Sequence, residues 1–193
     1  MLFKMIKLLR HSDYQKKIWK NGRGSTLEIA LSPAGPEFDW RLSMADIIES
    51  GPFSEFPGME RLLVLVEGPE IQLSHPPLVK QHTLALFHPY RFSGDWPTQA
   101  NVTGLGRDFN LIYRRDKFRG EVLVKSYLKS HESVIHEEGI VAIFCLQGKI
   151  LTELGELGPY DTLLIDNDRL SIRTEGETAF LFIHLRSIHH RHS

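Results

Sequence analysis

Short runs of apolar residues, separated by glycine, proline and polar turns, recur along nearly the whole chain. Several alternate with a period of two, which is the signature of a strand with one buried face. In the stretch Phe38-Asp39-Trp40-Arg41-Leu42-Ser43-Met44-Ala45, Trp40, Leu42 and Met44 point one way, while Asp39, Arg41, Ser43 and Ala45 point the other. Leu62–Val66 is a continuous apolar run closed by Glu67-Gly68-Pro69, as expected of a strand buried on both faces. Lys7–Arg10 reads as a short edge strand or a lead-in, and further strands are predicted at Leu27–Leu31, Glu70–Leu73, Thr83–Phe87, Tyr90–Trp96, Phe109–Arg114 and Glu121–Leu128. The last part of the chain adds Val141–Leu146, Lys149–Leu154, Thr162–Ile165, Leu170–Arg173 and Ala179–Arg186. No convincing amphipathic helix is present; a helix over Ser43–Glu49 would conflict with the alternation before it. The pattern predicts an all-β sandwich or barrel.

The chain also matches itself. Shifted by 80 residues, Leu62–Gly68 falls on Ala142–Gly148, each an apolar run ended by an acid or amide and a glycine. Shifted by 79, Thr83–Leu86 falls on Thr162–Ile165. The shared order of run, glycine turn, return strand and threonine-led strand predicts a duplicated β-barrel. The halves, 1–116 and 117–193, would join near Arg114–Gly120.

Composition narrows the function classes. At 193 residues and a net charge of -1, the chain offers no basic field for nucleic acid or for an anionic membrane. No apolar run approaches the ~18 residues of a membrane span. The lysines at 4 and 7 break the N-terminal apolar stretch, so no secretory signal is expected and the cytoplasm is the default compartment. The one cysteine, Cys145, lies inside an apolar run and reads as a buried thiol.

The candidate chemistry centres on arginine. The corner Gly51-Pro52-Phe53-Ser54-Glu55-Phe56-Pro57-Gly58 is stiff, and its aromatic rings must be buried somewhere. Arg41 lies on the polar side of the strand before it, with Ser43, and Arg61 opens the strand after it. An arginine facing the inside of a small barrel needs a carboxylate, either internal (Asp39 or Asp108) or from a ligand. Asp108-Phe109-Asn110 forms a third polar cluster. Metal chemistry is not expected. His75 and His82 are seven apart, His131 and His136 five apart, and neither pair has the spacing that sets two ligands on one strand face. Surface placement is the simpler expectation for these histidines, and a solvated tail for His189-His190-Arg191-His192. There is no nucleophile elbow, and Gly22-Arg23-Gly24-Ser25-Thr26 reads as a hairpin turn.

Five blocks together resemble the HutD/Ves family. They are Trp19-Lys20-Asn21-Gly22-x-Gly-x-Thr26, Phe38-Asp39-Trp40-Arg41-Leu42-Ser43-x-Ala45, Gly51-Pro52-Phe53-Ser54-x-Phe56-Pro57-Gly58-x-x-Arg61, Phe92-x-Gly94-Asp95 and Asp108-Phe109-Asn110-Leu111. The resemblance implies a bicupin, two double-stranded antiparallel β-barrels of the jelly-roll type in one chain, expected as a homodimer without a metal or other cofactor. It also implies a regulatory part in histidine utilisation, sensing urocanate or a formyl- or formimino-glutamate, or a Ves-type stress role outside that pathway.

The expected site lies in the N-terminal barrel. There Arg61 pairs with a ligand carboxylate, Arg41 and Ser43 add donors, and Phe53 and Trp40 form walls. Asn21 and Asp108 orient the arginines or meet the ligand's polar end, with Thr26, Ser54 and Asn110 completing the set. The second barrel is expected to serve as scaffold and dimer surface. The rival expectation is a metal-independent isomerase or hydrolase acting on a similar small acid, against which stands the lack of a base-and-nucleophile pair.

Overall fold

The computed structural model describes residues 5–19 and 24–188. Among them are seventeen strands and no α-helix. In chain order the strands are Met5–Leu9 (β1), Gln15–Ile18 (β2), Ser25–Ser32 (β3), Trp40–Ile47 (β4), Gly51–Pro52 (β5) and Met59–Glu67 (β6). Ile71–His75 (β7), Lys80–Leu84 (β8), Tyr90–Ser93 (β9), Gln99–Asn101 (β10) and Gly106–Arg114 (β11) follow. Phe118–Tyr127 (β12), His131–Ile135 (β13), Ile140–Thr152 (β14), Gly155–Leu157 (β15), Thr162–Asp166 (β16) and Leu170–Ser187 (β17) complete the set.

Two compact units result. Residues 15–117 form one, with a six-stranded sheet in the order β2-β3-β4-β11-β6-β9 and a four-stranded sheet in the order β5-β10-β7-β8. The other contains β12 to β17 together with β1, ordered β1-β16-β14-β17-β12, with β13 on β17 and β15 on β14. The N-terminal segment therefore lies outside the barrel expected over 1–116. β1 pairs antiparallel with β16 from Met5 opposite Asp166 to Leu9 opposite Thr162. Arg10 pairs with Asp161 at 2.9 Å, and the Tyr14 hydroxyl donates to the Tyr160 carbonyl at 2.6 Å. An edge strand needs only one neighbour, and β16 supplies it.

The two units repeat one pairing scheme. In the first, β6 lies between β11 and β9, and β11 pairs onward to β4. In the second, β14 lies between β17 and β16, and β17 pairs onward to β12. The second unit runs straight through corners that the first breaks. β14 covers the roles of β6 and β7, and β17 those of β10 and β11, so the pairs expected as Val141–Leu146 with Lys149–Leu154, and as Leu170–Arg173 with Ala179–Arg186, are each one long bent strand.

The glycines at the bends explain how. Gly68 and Gly148 have φ of +101° and +80°, and a Cβ on either would come within 2.3 or 2.4 Å of the Leu105 or Glu177 carbonyl oxygen. Just before each, one residue of the strand, Val66 or Leu146, drops out of register as a β-bulge. The 80-residue shift is thus a structural equivalence. The 79-residue one is not: Thr162 leads β16, whose counterpart by pairing is β9 rather than the Thr83 segment. Thr83 lies in β8, which ends at Leu84, and Phe87 beyond it has φ of +59°.

Alanine at Gly68 or Gly148 is expected to destabilise the protein by about 2 kcal/mol or more, since a strained φ and a backbone clash combine. Alanine at Gly51, which has open space around it, should stay within about 0.5 kcal/mol of wild type. Urea unfolding of the three variants tests both statements.

Candidate functional site

Four neighbouring strands, β3, β4, β11 and β6, set the site. Cross-strand neighbours in an antiparallel sheet share a face, and the register aligns three rows. Arg41 and Arg61 flank Ile112, Ser43 lies opposite Asn110, and Ala45 lies between Thr26 and Asp108. This face lines a cavity of about 550 Å³, to which Ile18 and Trp19, and Pro52, Phe53, Ser54 and Phe56 of the corner, also contribute.

The corner is fixed by backbone bonds to the turn after β9. Phe56 N–H donates to Gly94 O at 2.8 Å, Gly94 N–H to Met59 O at 2.8 Å, and Phe53 N–H to Thr98 O at 2.9 Å. A Cβ at position 94 would lie 2.4 Å from the Phe56 carbonyl oxygen, so this close approach requires glycine. Asp95 accepts from Gly58 N–H at 2.8 Å and pairs with Arg115. The Phe92-x-Gly94-Asp95 block therefore holds the corner in place and does not itself line the cavity.

Arg61 is 5% exposed. Its guanidinium donates to the Ser54 carbonyl at 3.2 Å and sits 4.9 to 5.4 Å from the ring centres of Phe53, Phe56 and Phe92. Arg41 lies over Phe38 and Phe56 at 4.8 and 5.1 Å. Such cation–aromatic contacts each contribute on the order of 1 kcal/mol, far less than the hydration a buried guanidinium gives up. Of the two internal partners considered, Asp39 bonds Lys117 instead, at 2.8 Å. Asp108 lies in the same cavity, 3% exposed.

Burial pushes the Asp108 carboxyl up to about 7, against the pull of Arg61 and more weakly of Arg41. Burial lowers Arg61 to about 10, with Asp108 opposing and Arg41 adding to the shift, and it lowers Arg41 as well. Four buried side-chain atoms have no hydrogen-bond partner among the described residues: Nε of Arg41, Nε of Arg61, Oδ1 of Asp108 and Oδ1 of Asn110. All four residues line this one cavity. Each such atom costs about 1–3 kcal/mol, and the four converge on one cavity.

The second unit supplies an internal contrast. By the 80-residue equivalence and strand pairing, Arg61 corresponds to Val141, Asp108 to Phe180 and Asn110 to Phe182. These three belong to an apolar core with Ile143, Cys145 and Ile172. Cys145 is buried there, and burial pushes its thiol up to about 12. A shallower concavity of about 490 Å³, near Glu132, Thr152 and Arg173, holds none of the four orphaned atoms.

Eight of the ten expected site residues line the cavity: Thr26, Arg41, Ser43, Phe53, Ser54, Arg61, Asp108 and Asn110. Trp40 does not. It faces away on β4 and is buried at 6% exposure, as its odd-even phase relative to Arg41 dictates. Asn21 lies outside the described residues. Trp19 and Phe56, outside the expected set, line the cavity as well. Trp19 Nε1–H donates to Thr26 Oγ1 at 2.9 Å, and a Cβ on Gly24 would meet its ring at 2.9 Å, which is why that block carries a glycine there. His75, expected at the surface, is fully buried, with its ring nitrogens 3.0 Å from Thr98 Oγ1 and Tyr90 OH. No group of three or more His, Cys, Asp or Glu side chains is placed to hold a metal among the described residues.

Two jelly-roll repeats in one chain, one hollow and polar and the other filled, make this a bicupin. The sequence profile of HutD matches residues 11–182, and the chain belongs to the HutD family, which is associated with histidine utilisation. An uncharacterised 21.2 kDa protein from the hutC 3′ region of Pseudomonas putida is 32% identical over 94% of this chain and 98% of its own length. Protein Ves of Cronobacter sakazakii is 37% identical over 55% of this chain, a match spanning only 60% of that relative.

Among solved structures, HutD from Pseudomonas fluorescens SBW25 superposes with a TM-score of 0.77 at 30% identity, over 94% of this chain and all of that one. A conserved protein of unknown function from Pseudomonas aeruginosa gives 0.83 at 28% identity, over 95% of this chain and all of the other. A cupin 2 barrel protein from Leptotrichia buccalis, 12% identical, shares the fold with a TM-score of 0.57 over 83% of this chain and 88% of its own.

The buried carboxyl gives a pH test. Asp108 binds its proton more tightly folded than unfolded, so the folded state gives up stability as pH rises from about 3.8, its ordinary value, to about 7. Relative to Asp108→Asn, the wild type should lose ground through that window and level off above it. Chemical denaturation of both proteins at several pH values measures the difference, and a difference independent of pH would contradict the burial argument.

Proposed function

We propose that this protein binds a small carboxylate in the N-terminal barrel, without a metal, as a cytoplasmic regulator in histidine utilisation. Urocanate and formylglutamate are the leading candidate ligands. The observation that carries this reading is a pair of guanidinium groups, Arg61 buried and Arg41 largely so, with unsatisfied Nε–H donors and no bonded carboxylate among the described residues. A carboxylate entering between them gains charge-assisted, forked hydrogen bonds. The cavity volume falls within the ~300–1,000 Å³ typical of small-molecule sites. The P. fluorescens HutD structure is described as a formate condition, and formate is the smallest carboxylate.

The enzymatic alternative rests on Asp108, a carboxyl that burial tunes near neutrality and that lines the same cavity. Incubating purified protein with the same acids separates the two: turnover favours an isomerase or hydrolase, and saturable binding without turnover favours a sensor.

A melting screen with urocanate, formylglutamate, glutamate and formate tests binding directly. At about 100 times its Kd a ligand adds ~2.7 kcal/mol, or a rise of about 5–11 °C for a chain this size. Arg61→Ala should abolish the rise, and Arg61→Lys should lose most of it because a point charge cannot replace the planar fork. A full response in Arg61→Ala would refute the assignment.

The homodimer is proposed to form through β12. Its counterpart by pairing, β4, has its outer edge covered by β3 and β2, whereas no strand covers that edge of β12 among the described residues. Leu123 and Val124 at its centre are 45% and 36% exposed. An antiparallel pairing with the two-fold axis at Leu123 sets Glu121 of each copy opposite Lys125 of the other, a self-complementary arrangement. In sedimentation velocity, Glu121→Lys should weaken the dimer and Glu121→Lys with Lys125→Glu should restore it. An unchanged oligomeric state in the single variant would rule this surface out.

A further inference from the structure

Among the described residues lining the first unit's cavity, Asp108 is the one carboxylate. It is 3% exposed and shares its walls with both guanidinium groups. The Ala45 backbone N–H bonds the carboxyl, yet Oδ1 has no partner among the described residues. Arg61 spends its hydrogen bond on the Ser54 carbonyl instead. Asp108 is thus a buried acid that shares a cavity with two cations and is bonded to neither.

The charges that face it come from each strand packed around it. Arg61 on β6 is the stronger attraction and Arg41 on β4 the weaker. Asp46, also on β4, repels it, but Arg107 pairs with that carboxylate at 2.7 Å. Glu28 on β3 acts on Arg41. Lys17 on β2, opposite Thr26, and Glu55 in the corner are exposed to solvent. The ionised form of Asp108 is therefore held chiefly by the two arginines, against its burial.

A ligand carboxylate has to use those same guanidinium groups. Once it is seated between them, Asp108 loses most of its counter-charge, meets a like charge and regains no water. Two carboxylates in one dry site titrate as a pair and share a proton rather than both staying ionised. We propose that carboxylate binding and protonation of Asp108 are a single coupled event: the entering anion takes over the arginine pair, and Asp108 takes one proton from solvent. The neutral carboxyl then carries its O–H on an oxygen that has no other partner, where it can donate.

This inference rests on the carboxylate-binding reading and adds its regulation. Below about 7 the free protein already holds the proton, so affinity there is level. Above that, every binding event takes up a proton, and by the reciprocity of linked equilibria occupancy falls as pH rises.

Isothermal titration of the intact protein with formylglutamate and with formate tests this. Carboxyl groups of this kind titrate near 4, so neither acid changes charge between about pH 6 and 9. In the wild type, at least one of them is expected to bind about tenfold weaker or more at pH ~9 than at pH ~7. Roughly one proton should be taken up at pH ~8, read from the dependence of the heat on the buffer's ionisation enthalpy. Asp108→Asn, which has no proton to exchange, should flatten the affinity profile and abolish the uptake. A level wild-type profile without proton uptake, or a slope that survives in Asp108→Asn, would overturn the coupling and leave the carboxylate site standing. Failure of both acids to bind at any pH would overturn both readings. Because proton uptake is measured on the wild type, a poorly folding Asp108→Asn does not remove the test.

Discussion

The first barrel is organised around holding one guanidinium group out of water and a second largely so, with no bonded carboxylate for either among the described residues. Arg61 at 5% exposure meets three aromatic rings and one backbone carbonyl. That arrangement is stable only if the walls are rigid, because a mobile corner would let water or a surface carboxylate reach the charge. The proline-and-aromatic corner, its backbone bonds to the turn after β9 and the glycine at 94 supply the rigidity. Among the described residues, Nε of Arg41, Nε of Arg61, Oδ1 of Asp108 and Oδ1 of Asn110 are then left without a hydrogen-bond partner.

The duplication shows how the same scaffold is emptied or filled. Bend glycine, bulge and strand pairing are shared by the two units, while the inward residues are arginine, aspartate and asparagine in one and valine and phenylalanine in the other. Apolar interdigitation needs only volume and alternation to be correct. A polar interior needs each group to find its partner, and in the first unit several do not.

Much of this was legible in the residues themselves. Period-two alternation placed Arg41 and Ser43 on one face of β4, and the run-and-glycine match across 80 residues located the repeat. The same alternation also put Trp40 on the wrong face for a pocket wall, an inference available from phase alone. What could not be read were the long-range closures. That β1 would pair with β16 depends on contacts more than 150 residues away in sequence. That β14 and β17 run on through their bends depends on glycines adopting positive φ, which looks identical to a chain break on paper. The burial of His75 depends on Thr98 and Tyr90 arriving from other strands. The orphaned acceptors are equally invisible, since a residue lacks a partner only in three dimensions.

Phe56 touches both cations, at 5.1 Å from Arg41 and 5.4 Å from Arg61. One ring wedged between two charges links them mechanically: rotating it to suit one guanidinium alters the surface on which the other rests. Arg41 and Arg61 are therefore coupled through one ring, and substitutions at the two positions combine non-additively.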